Sequence, residues 1–160
     1  MFSTAIDALT AGGFEHYEVS NFARPDRRCR HNEVYWAGES YFAAGPGAAR
    51  YVEGRRETNH RSTTTYIKRV LAGQSPVAET ETLSPEDRAR EMLVLGLRRL
   101  AGVEGRELYR RTGYRLEELS PAALDKHLAW GLLERVGDRI RLTRDGLFVS
   151  DSMWPEYLRR

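Results

Sequence analysis

Apolar residues recur in two different periods near the start of the chain, and the change of period separates the first two elements. Ala5, Ile6, Ala8, Leu9 and Ala11 fall at helical spacing and stop at Gly12-Gly13, which predicts a helix over 3–11 with a glycine C-terminal signal. Tyr17, Val19 and Phe22 then stand among polar neighbours in near alternation, which predicts a single strand over 16–23 closed by Pro25. Helix followed by strand has the form of the last unit of an α/β barrel. Tyr41-Phe42-Ala43-Ala44 ahead of Gly45-Pro46-Gly47 predicts a short buried strand running into a turn. Segments 49–52 and 56–59 around Glu53-Gly54-Arg55 predict a hairpin, and 62–64 cap a helix that carries Tyr66, Ile67, Val70 and Leu71 and ends at Gly73.

The second half is more regular. Segment 74–83 has no clear period and reads as a linker. Ser84-Pro85-Glu86-Asp87 supplies a cap, a proline at the first helical position and acids facing the helix dipole, ahead of the apolar face Met92, Leu93, Leu95, Leu97 and Leu100. A shorter helix is predicted over 105–112, and another from Ser120-Pro121 through Leu124, Leu128 and Leu132. Segments 133–136 and 139–142 flank Gly137-Asp138 as a two-residue hairpin, and Thr143 begins a closing helix. The expected fold class is α+β. Residues 1–73 form the end of a barrel with a short hairpin, 74–83 link, and 84–160 form a mostly helical winged-helix-like module.

Composition narrows the classes. The 160 residues carry 25 Lys plus Arg against 23 Asp plus Glu, so no global field selects nucleic acid or an anionic membrane. The one cysteine excludes an internal disulfide, and no apolar run approaches the ~20 residues that span a bilayer. The N-terminus lacks the basic and apolar regions of a signal peptide, so a cytoplasmic location is expected. A winged module invites a DNA-binding reading, but the helix that would enter a groove, 121–130, carries Asp125, Lys126 and His127 and no arginine. Phosphate neutralisation there would be poor, so no nucleic-acid partner is expected.

Candidate chemistry concentrates in Cys29-Arg30-His31-Asn32-Glu33-Val34-Tyr35-Trp36, where a thiol, an imidazole and two large aromatics lie within eight residues. Imidazole and thiolate are common ligands of haem iron, and Tyr and Trp offer flat apolar faces to a macrocycle. On a haem-binding reading His31 is the axial ligand, with Cys29 and His16 as alternates. Tyr35 and Trp36 are expected ring contacts, and Asn32 would fix the imidazole tautomer or the loop backbone. The competing structural reading makes His31 a loop histidine bonded to backbone and the aromatics ordinary core. Arg24, Arg27, Arg28 and Arg30 before the motif, and Arg50, Arg55, Arg56 and Arg61 after it, could pair bidentately with porphyrin carboxylates. Gly45-Pro46-Gly47-Ala48 offers either exposed amides to an anion or a simple turn.

His31-Asn32-x-x-Tyr35-Trp36 resembles the HNxxYW motif of HemW-type haem chaperones, the branch of radical SAM proteins akin to oxygen-independent coproporphyrinogen III oxidase. The order continues with Gly13-Phe14-Glu15-His16-Tyr17-Glu18-Val19-Ser20-Asn21-Phe22-Ala23 before the motif. Gly45-Pro46-Gly47-Ala48, Leu95-Gly96-Leu97-Arg98 and Leu142-Thr143-Arg144-Asp145-Gly146 follow it, as in the C-terminal part of that family. The resemblance implies haem binding and delivery within porphyrin metabolism, with a haem-acceptor protein as partner. It favours the chaperones over the genuine oxidases, which lack HNxxYW, and it sets Ala48 and Ala49 near the segment that borders the SAM pocket in the oxidases. It also implies S-adenosylmethionine and a [4Fe-4S] cluster in full-length members. This sequence departs there: it has no Cys-x3-Cys-x2-Cys triplet, and its length leaves room for about one barrel unit. The expectation is a C-terminal fragment without radical chemistry of its own. The rival expectations are a non-catalytic interaction module with a winged tail and part of a genuine oxidase.

Overall fold

The computed structural model describes residues 1–158, so Arg159 and Arg160, the end of the expected 84–160 module, lie outside the described residues. In chain order the elements are α1 (Phe2–Ala11), β1 (Glu15–Glu18), β2 (Asn21–Ala23), α2 (Arg30–Trp36), β3 (Ala49–Val52), β4 (Arg55–Asn59), α3 (Thr63–Leu71) and β5 (Val77–Thr82). They continue with α4 (Pro85–Arg98), β6 (Val103–Glu104), α5 (Gly105–Thr112), α6 (Leu116–Leu119), α7 (Pro121–Ala129), β7 (Leu133–Val136), β8 (Arg139–Leu142) and α8 (Arg144–Tyr157). The chain is mixed α and β. It divides into two compact units, residues 39–85 and residues 1–38 together with 86–160. That division splits the expected 1–73 segment between the two units, and its other boundary, after Pro85, lies within two residues of the expected end of the linker at 83.

In the 39–85 unit, β3, β4 and β5 form an antiparallel sheet in that order. The expected linker is therefore half strand: Val77–Thr82 pairs along β4, and its exposed polar residues hid the pattern because the strand lies at a sheet edge. The β3–β4 turn uses Glu53 and Gly54, both at positive φ (51° and 84°), the conformation that twists with the flanking strands. The buried strand expected at 41–44 reduces to one bridge between Tyr41 and Tyr51, and Phe42 is 79% exposed. α3 begins where the Ser62 hydroxyl accepts from the Thr65 N–H at 3.3 Å.

In the larger unit, the strand expected over 16–23 is an antiparallel hairpin. Glu18 turns it: the carboxylate accepts from the Ser20 N–H at 3.0 Å and from Asn21 Nδ2 at 2.6 Å, which folds the chain back at Val19-Ser20. Arg98 at the end of α4 donates to the other oxygen at 2.8 Å through Nε, and Glu18 is 0% exposed. Backbone bonds Val19 N–H to Arg98 C=O and Leu100 N–H to Tyr17 C=O complete this junction.

The main core gathers α4, α5 to α8 and the sheet β6-β8-β7 around Leu97, Ile140, Leu119, Met153 and Tyr157. The two-residue strand β6 is too short to carry a period, and it pairs with β8 through Val103 and Ile140. The Gly137-Asp138 turn also secures α5, because the Asp138 carboxylate accepts from the Arg106 N–H at 2.8 Å and so caps that helix across the fold. Gly96 lets α4 approach β6. A Cβ there would lie 2.5 Å from Val103 Cγ2, on a β-branched side chain with little freedom to turn. Gly96→Ala should therefore destabilise by about 1–3 kcal/mol despite its better helix propensity. Urea unfolding checks this, and adding Val103→Ala should recover part of the loss.

Two buried polar side chains hold the last helices. Arg90 on α4 donates to Ser120 Oγ at 2.8 Å and to the Tyr157 carbonyl at 3.0 Å, and pairs with Glu86. His127 Nδ1 and the Tyr157 hydroxyl share a 2.9 Å hydrogen bond. Burial pushes the His127 imidazole below its ordinary pKa of 6.5, more than Glu156 pulls it up. The unfolded chain then takes up that proton first as pH falls. Stability contributed at this site is full above about pH 6.5, declines as pH falls through that value, and levels once the folded state is also protonated. The drop in urea midpoint between pH 7.5 and 5.5 should shrink in His127→Gln; an unchanged drop would contradict this assignment.

Candidate functional site

Pro25 ends β2, and Asp26 at φ 60° with the Arg27 N–H on the Arg24 carbonyl turns the chain back toward the hairpin. Cys29 is extended and serves as N-cap, its carbonyl accepting from the Glu33 N–H at 3.1 Å and its own N–H donating to the Tyr17 hydroxyl at 3.3 Å. The segment expected as a loop around His31 is thus a helix. At seven residues, two turns, it is too short for periodicity to reveal.

Helical spacing sorts the motif onto two faces. His31 and Tyr35, four apart, stand together with ring centroids 4.7 Å apart at 86°. His31 is exposed, and neither ring nitrogen has a hydrogen-bond partner among the described residues. Trp36 turns inward, 9% exposed, against Ala23, Leu95 and the Tyr17 ring at 5.7 Å. Its indole is buried in the core, while His31 is exposed. Asn32 does not bond to His31, because consecutive helical residues point about 100° apart. Cys29 is an exposed free thiol. His16 is used internally: Nε2 lies 3.0 Å from the Val19 carbonyl and the ring stacks on Phe22 at 4.2 Å.

The arginines divide as well. Arg28 pairs with Glu15 and Glu33 and lies over the Tyr17 ring at 5.2 Å, and its hydrogen bond holds the Glu15 carboxyl below the usual carboxylate range. Arg24 lies over Phe14. Arg27 and Arg30 are exposed, with no ion-pair partner among the described residues. Arg50, Arg55 and Arg56 belong to the 39–85 unit, where the first two pair with buried Glu57 and the third with Glu81; Arg61 is exposed there. The Gly45 to Ala48 amides are not offered to a ligand. Gly45 N–H donates to the Tyr66 hydroxyl, Gly47 N–H to the His60 carbonyl and Ala48 N–H to the Gly45 carbonyl. The turn reading holds for this segment.

Tyr17, Glu15 and Arg28 are the supporting residues that the motif did not name. Only the cationic loop beside an aromatic strand pointed toward them. Among the described residues no three of His, Cys, Asp or Glu converge as a metal site. One thiol cannot hold a four-iron cluster, so the residues present do not fit that group. A single exposed imidazole beside an aromatic ring does fit one axial position on haem iron.

The fold matches that of the solved structure described as "Coproporphyrinogen III oxidase (HemN) from Escherichia coli is a Radical SAM enzyme", with a TM-score of 0.76 at 15% identity over 97% of this chain and 39% of that one. The HemN C-terminal domain family matches residues 83–149. "Heme chaperone HemW" of Bacillus subtilis is 30% identical over 158 residues, covering 99% of this chain and 42% of that protein. "Heme chaperone HemW" of Mycobacterium tuberculosis is 39% identical over 150 residues, covering 92% of this chain and 36% of that protein. The chain belongs to the HemW- and HemN-like family of radical SAM proteins. It spans less than half the length of these relatives.

Proposed function

We propose that this chain is the haem-handling C-terminal part of a HemW-type chaperone, with His31 as axial ligand and Tyr35 beside the ring. The observation that carries this reading is the exposed His31 imidazole, unbonded at both nitrogens and held edge-on to Tyr35 by a helix that Trp36 anchors in the core. Neutral imidazole is a good iron donor near pH 7. The fixed helix spares the entropy of ordering a loop on binding. Haem here is cargo to be passed to an acceptor protein. Weak, reversible ligation by one exposed side chain suits that role better than a closed pocket. Arg27 and Arg30 flank the helix start and are placed to pair with propionates.

In this reading α1 with the β1–β2 hairpin is the end of a barrel, and 84–158 is a winged-helix-like module whose wing is β7–β8. Lys126 of the would-be groove helix is already paired with Glu156 at 2.7 Å, which supports packing rather than nucleic-acid binding as the role of that module. S-adenosylmethionine and cluster chemistry are left to segments that carry three cysteines. The testing experiment is titration of the chain with ferric haem. A saturable Soret band at one haem per chain is expected, and a spectrum equal to free haem would contradict the proposal.

A further inference from the structure

The arginines of the motif loop do not exhaust the cationic groups near Trp36. A cleft lined in part by Trp36 opens between the C-terminal end of α2, α4, β6 and α5. Its lining sets the buried apolar side chains of Trp36, Met92 and Leu108 beside charged groups. Arg99 and Arg111 line it, and neither has an ion-pair or side-chain hydrogen-bond partner among the described residues. The acids in the same wall are already engaged: Glu104 pairs with Arg139 at 3.0 Å and Glu107 with Arg110 at 2.8 Å. The cleft is left with two guanidinium groups that form no close ion pair among the described residues, Arg111 lying near enough to Glu107 to help lower that carboxyl's pKa, beside the apolar side chains of Trp36, Met92 and Leu108.

Guanidinium groups bind carboxylates through paired N–H donors, and arginines beside buried apolar side chains suit an anion attached to an apolar body. At about 190 Å³ the cleft is smaller than the roughly 300–1,000 Å³ of complete ligand pockets, so it accommodates an acid side arm and the adjoining edge of a larger ligand. We propose that this cleft is a carboxylate subsite, in which Arg99 and Arg111 hold an alkyl carboxylate while Trp36, Met92 and Leu108 cover the apolar edge that bears it. The chemistry is shared by two sources, a propionate arm of a tetrapyrrole and a free aryl-alkanoic acid. The first source deepens the haem reading and rests on it; the subsite itself does not need iron or His31.

Binding of metal-free mesoporphyrin, its dimethyl ester and 3-phenylpropionate to the whole chain, followed by tryptophan fluorescence and by NMR of the arginine side chains, tests the subsite. The expected result is that the free-acid porphyrin binds at least tenfold more tightly than the ester and that Arg99→Gln with Arg111→Gln abolishes that difference. Both arginine side-chain signals should shift on binding. Binding of 3-phenylpropionate with the same arginine dependence, and no binding of mesoporphyrin, keeps the subsite and assigns it to free acids. Equal affinity of acid and ester, or acid binding unchanged in the double variant, overturns the subsite. Because no iron is present, failure of His31 as a ligand leaves every arm interpretable. Arg106→Gln, an exposed α5 arginine outside the cleft lining, serves as the control and should bind like the parent.

Discussion

Glu18→Ala will lower the stability of the chain by about 3 kcal/mol, the largest loss expected from any single side chain outside the apolar core. The carboxylate is fully buried and accepts from five groups: the Ser20 N–H and hydroxyl, Asn21 Nδ2 and both Arg98 Nε and Nη2. Removing it takes the acceptor from the Ser20 amide and Asn21, loosens the turn between β1 and β2, and leaves only the two backbone bonds to tie that hairpin to the end of α4. The estimate sits at the low end of the 3–5 kcal/mol typical of a broken buried pair. Arg98 is 27% exposed and keeps Asp151 at 3.6 Å, so its charge is not left wholly uncompensated. Glu18→Gln preserves shape but directs an amide N–H toward other donors, so it should recover little. Arg141→Ala breaks the Glu134 pair, whose members are 44% and 43% exposed, and should cost under about 1 kcal/mol. Equal urea midpoints for Glu18→Ala and Arg141→Ala would contradict the account of this junction.

Glu18 also illustrates where sequence reading stops. The second half of the chain was legible because α4 and α8 are long, α4 and α7 open on a proline, and Thr143 caps α8. Ser84-Pro85, Ser120-Pro121 and Thr143 each mark a start that the structure keeps, and Gly137-Asp138 marks the hairpin. The first half depends on contacts with no local signature. Glu18 turns the chain through Ser20 and Asn21, but the partner that holds its other oxygen and ties it to α4 is Arg98, eighty positions away. β5 hid behind an exposed edge composition, and β6 is two residues long. Within the candidate site, the HNxxYW pattern located His31, Tyr35 and Trp36. It did not tell that His31 and Trp36 face opposite ways, since that follows from a two-turn helix whose cap is fixed by Tyr17 from another strand. Composition likewise gave the arginines of the loop but not Arg99 and Arg111, which α4 and α5 bring to one cleft.

The second large effect is expected at His31. Its imidazole carries no competing hydrogen bond, so removing it should leave the fold intact and subtract only the ligand. Loss of the axial nitrogen should weaken ferric haem binding by about tenfold or more, equivalent to at least about 1.4 kcal/mol. Residual affinity would come from apolar contact with Tyr35 at about 25 cal/mol per Å² covered. Cys29→Ser should change the spectrum little, because the thiol sits at the helix cap, before the His31 and Tyr35 face. His127→Gln should leave it unchanged, since that imidazole is buried against Tyr157 in the main core. The most direct measurement is a haem titration of the parent, His31→Ala, Cys29→Ser and His127→Gln chains followed at the Soret band. The account predicts that the band is abolished or shifted in His31→Ala alone; a parent-like band in His31→Ala, or its loss only in Cys29→Ser, would contradict it.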